Sequence, residues 1–400
     1  MKKRYSYRAY PTGGQQQSLA RLFGCVRVVF NDVIEARETA YREKTGFISA
    51  GELQKRLITQ AKKTPEREWL AEVSNVPLQQ SVRDADRAYR NFFDSISGKR
   101  KGPKVGKPRF KSRRDHRQSA RFTRGVFDVR QTSKRKAQVR LSKIGWVTFH
   151  LSRPLPSDPS SVTIIHSSDG TYHVSFVVDV PPKPGPVSTT AAGVDLGLTD
   201  VAAIACSDGT REKITNPRTT KTYERRLARA AKLLARKQKG SNNWHKQRTK
   251  VARIHSRIRN TRHDHAHKLA RRLIDENQVI AVEDLNVAGL ARAGAKGKRG
   301  RGMRKSVHDA GWAMLIRLLQ EKGTEAGRQV VLVNPAYTSQ TCAVCGVLDG
   351  PKLLDVREWT CTECTTQLDR DYNAAVNIMT GAGHALSACG VDVRRPLASA

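Results

Sequence analysis

Four cysteines constrain this 400-residue chain more tightly than any other residues. Two residues separate Cys342 from Cys345 and Cys361 from Cys364, and fifteen residues separate the pairs. Each CxxC pair bends into a knuckle whose thiolates face one point, and two knuckles complete a tetrahedron. The spacing predicts a zinc ribbon holding one structural Zn2+, because four thiolates leave no open position for catalysis. Gly346 supplies the backbone freedom for the turn after the first knuckle. Cys25 falls on an apolar helical stripe and Cys206 in an apolar strand, so both read as small buried hydrophobes. The seventh cysteine, Cys389, has no assigned role.

Charge points to the partner. Seventy-three Lys and Arg stand against 36 acids, a net charge of +37. Such an excess repels itself in a compact state unless a polyanion neutralises it. It is also clustered: residues 99–121 hold eleven basic residues and one acid, and residues 221–272 hold eighteen and two. No apolar run is long enough to span a membrane. No apolar segment follows the basic Lys2-Lys3-Arg4, so a secretory leader is not expected. The expected setting is the cytoplasm of a prokaryote, at the nucleoid.

Periodicity divides the chain. A short strand over residues 5–10 ends at Pro11, and Thr12 with Gln15 has capping-box spacing. Leu19, Leu22, Phe23, Val26, Phe30, Val33 and Ile34 then recur at helical spacing. Further helices are predicted over 53–62 and 78–93, the latter with Val82, Ala85, Tyr89, Phe92 and Phe93 inward. Residues 97–108 read as a loop. Alternation then predicts short strands through Phe122, Phe127, Val129, Val139, Leu141, Val147 and Phe149, and a hairpin over 162–180 turning at Ser168-Asp169-Gly170. After a linker at 181–186, strands are expected over 193–198, 201–206, 279–282 and 330–333. Helices are expected over 222–239, 244–276, 306–326 and 373–379. Residues 294–302 read as a basic, glycine-rich loop.

Three acids stand at the ends of these elements. Asp195 sits in the apolar strand Gly193-Val194-Asp195-Leu196-Gly197, Glu283 ends Ile280-Ala281-Val282-Glu283, and Asp371 starts a helix two residues before Asn373. A carboxylate in such a strand is costly to bury unpaired. Oxygens converging from separate elements suit a pair of Mg2+ or Mn2+ ions, which stabilise both oxygens of phosphodiester cleavage. The order strand–hairpin, strand, helix start is that of an RNase H-like nuclease. Taken singly, each acid has a plainer reading: Asp371 as a helix cap, Asp195 as a satisfied strand acid, Glu283 as an arginine partner.

These residues resemble the TnpB (OrfB) family of transposon-encoded nucleases, relatives of the type V CRISPR effectors. Gly193-Val194-Asp195-Leu196-Gly197 is similar to the first RuvC motif and Val282-Glu283-Asp284-Leu285 to the second. Thr338-Ser339-Gln340-Thr341-Cys342 with Asp369-Arg370-Asp371-Tyr372-Asn373-Ala374-Ala375 resembles the zinc finger running into the third. Tyr10-Pro11, Gly106-Lys107-Pro108-Arg109-Phe110 and Asp309-Ala310-Gly311-Trp312 resemble family landmarks. The resemblance covers the full length. It implies a multidomain α/β fold: a wedge-like β-barrel (1–11 and 98–186) carrying a helical recognition lobe (12–97), and an RNase H-like RuvC nuclease domain (187–337). A zinc ribbon (338–368), the third motif (369–381) and a tail (382–400) follow. It implies RNA-guided cleavage of double-stranded DNA beside a target-adjacent motif, with guide RNA from the element's end and catalytic Asp195, Glu283 and Asp371. Asp369 also competes for the third role; the family's acid precedes the Asn by two, which favours Asp371.

Guide pairing reads sequence while the protein holds backbone and shape. Lys107 and Arg109 in the first basic cluster, and Arg225, Arg226, Arg229 and Arg236 (with Lys221 and Lys232) in the second, are expected on phosphates. Phe110, Phe122 and Trp244 are candidate stacking rings, with core packing the commoner fate. Asn75, Gln79 and Gln80, on a turn into a helix, and Thr123 are expected, by loose resemblance to the lobe, to read the target-adjacent duplex. Lys296, Lys298, Arg299 and Arg301 would form a mobile lid. One chain is expected per complex, although dimerisation stays open. A strand-transfer transposase would also use three acids and Mg2+, but no clear helix-turn-helix stands at the N-terminus. A cleavage-deficient RNA-guided repressor would share the charge, yet no triad position is missing.

Overall fold

The first long helix starts where its cap predicts. The Thr12 hydroxyl accepts the Gln15 amide at 3.4 Å, and the Gln15 side chain accepts the Thr12 amide at 3.0 Å. The computed structural model describes residues 1–115, 117–292, 298–353 and 355–387, in two units that divide between Val180 and Pro181. No helix among the described residues is long and apolar enough to cross a membrane.

In the first unit, β1 (Lys2–Tyr10) leads into α1 (Gly13–Arg42), which buries the whole predicted stripe from Leu19 to Ile34. The expected helix at 53–62 lies within a continuous helical run that changes its winding: α2 (Ala50–Gln54), a wider π-helical stretch over Lys55–Gln60 and a tighter 3-10 turn over Ala61–Lys63. Next comes α3 (Asn75–Ile96), with Val82, Ala85 and Tyr89 buried. Phe93, expected inward, is 55% exposed, because the last turn runs past the core. The strands β2 (Gln118–Thr123), β3 (Phe127–Ser133), β4 (Lys136–Leu141), β5 (Gly145–His150), β6 (Ser161–His166) and β7 (Tyr172–Asp179) follow. They join β1 in one antiparallel sheet of order β2-β6-β7-β1-β5-β4-β3.

This sheet is open, which corrects the expected closed barrel. Among the described residues β2 pairs only with β6 and β3 only with β4. Alternation identifies strands and their buried faces, but closure needs matched tilt and stagger between first and last strands. Tyr7, Phe149 and Phe176 meet at its centre with ring centroids 5.4–6.0 Å apart, and helices and sheet share one core.

The second unit opens with β8 (Ala191–Asp195), β9 (Asp200–Cys206) and β10 (Arg211–Thr215), turning at Ser207-Asp208-Gly209-Thr210. A helical hairpin, α4 (Thr219–Ala235) and α5 (Asn242–Glu276), leads to β11 (Val279–Glu283). Then come α6 (Val287–Arg292), α7 (Lys298–Ala310), α8 (Trp312–Ala326) and β12 (Gln329–Val333). A small hairpin, β13 (Glu358–Thr360) and β14 (Gln367–Asp369), precedes α9 (Arg370–Ser387). The sheet order is β10-β9-β8-β11-β12, with β8, β11 and β12 parallel and β9 and β10 antiparallel.

Three expectations change here. The helix at 306–326 is two helices, because Gly311 takes a left-handed φ of 72° between them. The stretch read as a loop at 294–302 is helical from Lys298 onward, which places Lys298, Arg299 and Arg301 on α7; Lys296 lies outside the described residues. The tail expected from 382 begins as helix through Ser387, and Cys389 lies outside the described residues.

Alternation along β8 and β11 sorts the sheet into two faces. Ala192, Val194, Ile280 and Val282 pack against α5 and α8. Ala191, Val279 and Ala281 face α9 through Ile378, Met379 and Ala382. The contact with α9 is so close that a Cβ on Gly193 would overlap the Ala375 carbonyl and stand 2.8 Å from the Met379 nitrogen. Backbone cannot yield as a side-chain tip can. Gly193→Ala is therefore expected to destabilise the unit by roughly 1–3 kcal/mol, the overpacking range. Denaturant unfolding with no change of midpoint would refute this contact.

Candidate active site

Val194 pairs with Val282 across the parallel strands β8 and β11. One residue further, Asp195 and Glu283 end the two strands. By alternation both carboxylates fall on the face where Gly193 and Ala281 admit α9, whose first turn carries Asp371. Burial, then the charges of Glu283 and Asp371, push the Asp195 carboxyl up to about 7, against the opposing pull of Arg370 and the Leu196 amide. Burial also raises Glu283, which is 7% exposed; the Thr338 hydroxyl opposes this by donating to Oε1 at 2.8 Å.

Geometry distinguishes the two candidates for the third acid. Asp369 Oδ1 accepts the amides of Asp371 at 3.0 Å and Tyr372 at 2.9 Å, which makes it the cap of α9. Its Oδ2 meets Lys213 Nζ at 2.7 Å. Burial works to raise this carboxyl, but Lys213 and the two amides outweigh it and hold it low. Asp371 instead bears on Asp195, and contacts Lys213 at 3.2 Å and Arg357 at 3.4 Å.

The four cysteine sulfurs lie within 4.8 Å of one another. Cys342–Cys364 and Cys345–Cys361 are each 3.6 Å apart. Tetrahedral zinc with bonds of ~2.3 Å has sulfur edges of about 3.8 Å, so this cluster fits structural zinc. Each knuckle closes alike: the Gly346 amide donates to the Cys342 carbonyl at 2.9 Å, and the Thr365 amide to the Cys361 carbonyl at 3.0 Å. Both donors are left-handed, φ 79° and 55°. The neighbouring Thr366 hydroxyl and amide pull the Cys364 thiol down to about 6, toward the thiolate that metal requires.

Two asparagines join this cluster to the acids. Asn373 is buried; it accepts the Ala343 amide and donates to the Thr341 carbonyl, both at 2.8 Å. Asn377, one turn further along α9, donates to the carbonyls of Thr338 at 2.8 Å and Thr341 at 2.7 Å. The segment entering the first knuckle is thus clamped to α9, and Thr338 within it holds Glu283. Trp312 Nε1 donates to the Gly197 carbonyl at 3.2 Å, steadying the turn after Asp195. Asp309 accepts the Thr220 amide at 3.0 Å and Arg262 at 3.0 Å, tying α4, α5 and α7. Thr338, Asn373, Asp309 and Trp312 lie within recognisable sequence motifs that give no sign of these contacts, and Lys213 and Asn377 carry no local mark.

The expected nucleic-acid residues are scattered. Arg225, Arg226, Arg229 and Arg236 are exposed along α4 and its end, while Ala230, Ile254 and Ile258 pack the hairpin. Arg109 is exposed, and Lys107 pairs with Glu38 at 2.9 Å. Asn75 is exposed and accepts Lys62 at 2.8 Å; Gln79 and Thr123 are part-buried. Gln80 is buried at 7% exposure and Phe122 is fully buried, so neither offers its side chain to a base.

The mixed α/β fold with its four-thiolate cluster resembles that of the Cas12 effectors. The chain superposes with a TM-score of 0.57 on the protein of the "Cryo-EM structure of the Cas12f1-sgRNA-target DNA complex", 13% identical, covering 95% of this chain and 98% of that one. The mini-RNA-guided endonuclease CRISPR-Cas_phi3 matches with a TM-score of 0.55, 11% identity and coverage of 96% and 92%. In sequence, a Streptomyces pristinaespiralis protein named "Putative RNA-guided DNA endonuclease" is 39% identical over 98% of this chain and 92% of its own length. The similarly named InsQ of Escherichia coli K12 is 33% identical over 98% and 96%. Residues 175–294 match the OrfB_IS605 model, described as a probable transposase, and 312–378 the Cas12f1-like TNB domain. The chain belongs to the TnpB (OrfB) family. Residues 1–46 match a family model described as a helix-turn-helix domain, but here they form β1 and the uninterrupted helix α1.

Two outcomes follow from this geometry. In magnesium-free buffer the folded Asp195 carboxyl, at about 7, holds a proton that the unfolded chain releases near 4. Stability should therefore fall as pH rises from 4 to 7. Asp195→Asn should flatten that fall and gain up to about 4 kcal/mol at pH 8; unfolding curves that coincide with wild type at both pH values would contradict it. Cys342→Ser should lower zinc below one atom per chain in elemental analysis and destabilise the insert, since structural zinc contributes folding energy directly.

Proposed function

We propose that the protein is an RNA-guided DNA endonuclease that cuts double-stranded DNA beside a short target-adjacent motif, in a RuvC-type site formed by Asp195, Glu283 and Asp371. The observation that carries this reading is the convergence of these acids from β8, β11 and α9 on one crowded face. The names of the relatives support it. We read the second unit as the RNase H-like nuclease with a zinc insert, and the first as wedge sheet and helical lobe.

The donor set is all hard carboxylate oxygen, which fits Mg2+ or Mn2+. Bound there, a metal pair supplies charge neutralisation for the attacking and leaving oxygens of the phosphodiester. The chain's own residues do the rest. Thr338 orients Glu283, Asp369 sets the start of α9 and hence Asp371, and Lys213 and Arg357 stand beside Asp371. The exposed cations of α4 hold nucleic-acid backbone, while guide pairing selects the sequence. Asn75 and Gln79 stay candidates for base contacts; the burial of Gln80 argues against it.

The test uses protein purified with its RNA. Asp371→Ala should reduce Mg2+-dependent cutting of a guide-matched duplex at least ~100-fold while leaving DNA binding intact. Asp369→Ala should retain most cutting and lose about 1 kcal/mol of stability, as for a lost helix cap. The reverse pattern would move the third catalytic role to Asp369. Strand joining instead of cutting would favour a transposase, and guided binding by an uncut wild type a repressor.

A further inference from the structure

Strand register carries a lysine to the acidic centre. Asp195 pairs with Ala203 across β8 and β9, and Ala203 pairs with Lys213 across β9 and β10. Residues opposite one another in a sheet share a face, so Lys213 lies in the row of Asp195, two strands and roughly 10 Å away. The alanine between them is too short to bar a lysine side chain. Lys213 Nζ reaches the start of α9, where it stands 2.7 Å from Asp369 Oδ2 and 3.2 Å from Asp371 Oδ2. Arg357 takes the other oxygen of Asp371 at 3.4 Å. Each oxygen of Asp371 therefore faces a cation, and one of these cations is shared with the helix cap.

Sharing has a consequence for metal. An ammonium group and a divalent ion want the same carboxylate oxygen and repel each other. Asp369 has no such conflict: its other oxygen is committed to the amides of Asp371 and Tyr372, and its contact with Lys213 is the shorter one. Lys213 can therefore yield Asp371 without losing its partner. We propose that Lys213 is a resident counter-ion of the acidic centre, which competes with the divalent metal for Asp371, keeps its hold on Asp369, and so sets the metal concentration at which the centre fills. The inference rests on the metal-site reading of Asp195, Glu283 and Asp371 and adds a means of regulating it. A lysine that merely braced α9 would act in the opposite sense, favouring metal by steadying Asp371. One that only held DNA phosphate would have no effect on metal in the absence of DNA.

The test is a Mn2+ titration of full-length, zinc-loaded protein without nucleic acid, with free ion read by paramagnetic resonance and Asp195→Ala as the baseline. Lys213→Met should bind Mn2+ at the acidic centre roughly fivefold more tightly, or better, because a unit charge beside a dication has been removed. Lys213→Arg, which keeps the charge, should stay near wild type. RNA-loaded Lys213→Met should reach half its maximal cutting at a correspondingly lower Mg2+ concentration. Lys213→Gln, which keeps a polar end, makes the same comparison should Lys213→Met melt early. Unchanged or weaker Mn2+ binding in the neutral variants, or equal tightening in Lys213→Arg, would overturn the proposal and leave the nuclease reading standing. Wild type that binds Mn2+ no better than Asp195→Ala would overturn the metal centre and this inference with it.

Discussion

The candidate site depends on how closely α9 lies against β8. Only a residue without a side chain lets the Ala375 carbonyl and the Met379 nitrogen come so near the strand at position 193. The helix surface is trimmed to match: Ala374 and Ala375 are almost fully buried, and Ala281 on the neighbouring strand faces the same helix. This small-against-small contact brings the start of α9 down to the strand ends. Asp371 can then bear on Asp195. The run Asn373-Ala374-Ala375 thus has a physical content: one residue that clamps and two that leave room.

Charge crowding is the cost of that arrangement. Burial alone lifts the Asp195 carboxyl, and two like charges add to it. The structure offsets the strain only in part, with Thr338 on Glu283 and with Lys213 and Arg357 on Asp371. Hard divalent cations satisfy such a group better than side-chain donors do. The thiolate cluster is a separate arrangement whose geometry fits structural zinc. Its place in the mechanism is structural, because Asn373 and Asn377 bind its entry segment to α9 and that segment presents Thr338 to Glu283. Loosening the knuckles would therefore be felt at the acids without any thiolate touching substrate.

The cations are arranged differently. On the α4–α5 hairpin the apolar residues pack one another, leaving Arg225, Arg226 and Arg229 in solvent. A hairpin with so small a core of its own is suited to displaying charge. Elsewhere the basic residues are put to structural use: Arg37 holds Asp86 beneath two rings, and Arg262 holds Asp309 across three helices. Net charge therefore says that a polyanion binds but not which cations touch it.

What the sequence by itself determined is what depends on local spacing. Two CxxC pairs dictate a four-thiolate cluster, Thr12 and Gln15 dictate a cap, and the apolar stripe of α1 dictates its buried face, because each is set within a few residues. Acids at element ends marked Asp195, Glu283 and Asp371 as candidates for the same reason. Tertiary structure decided the rest. Asp369 and Asp371 are two residues apart, locally alike, and both touch Lys213, 156 residues away from Asp369 in sequence; only the first turn of α9, whose amides Asp369 accepts while Asp371 bears on Asp195, tells them apart. The open edge of the first sheet, the break at Gly311, the exposure of Phe93 and the burial of Gln80 follow from which elements meet. That is settled by long-range packing, which no local period records.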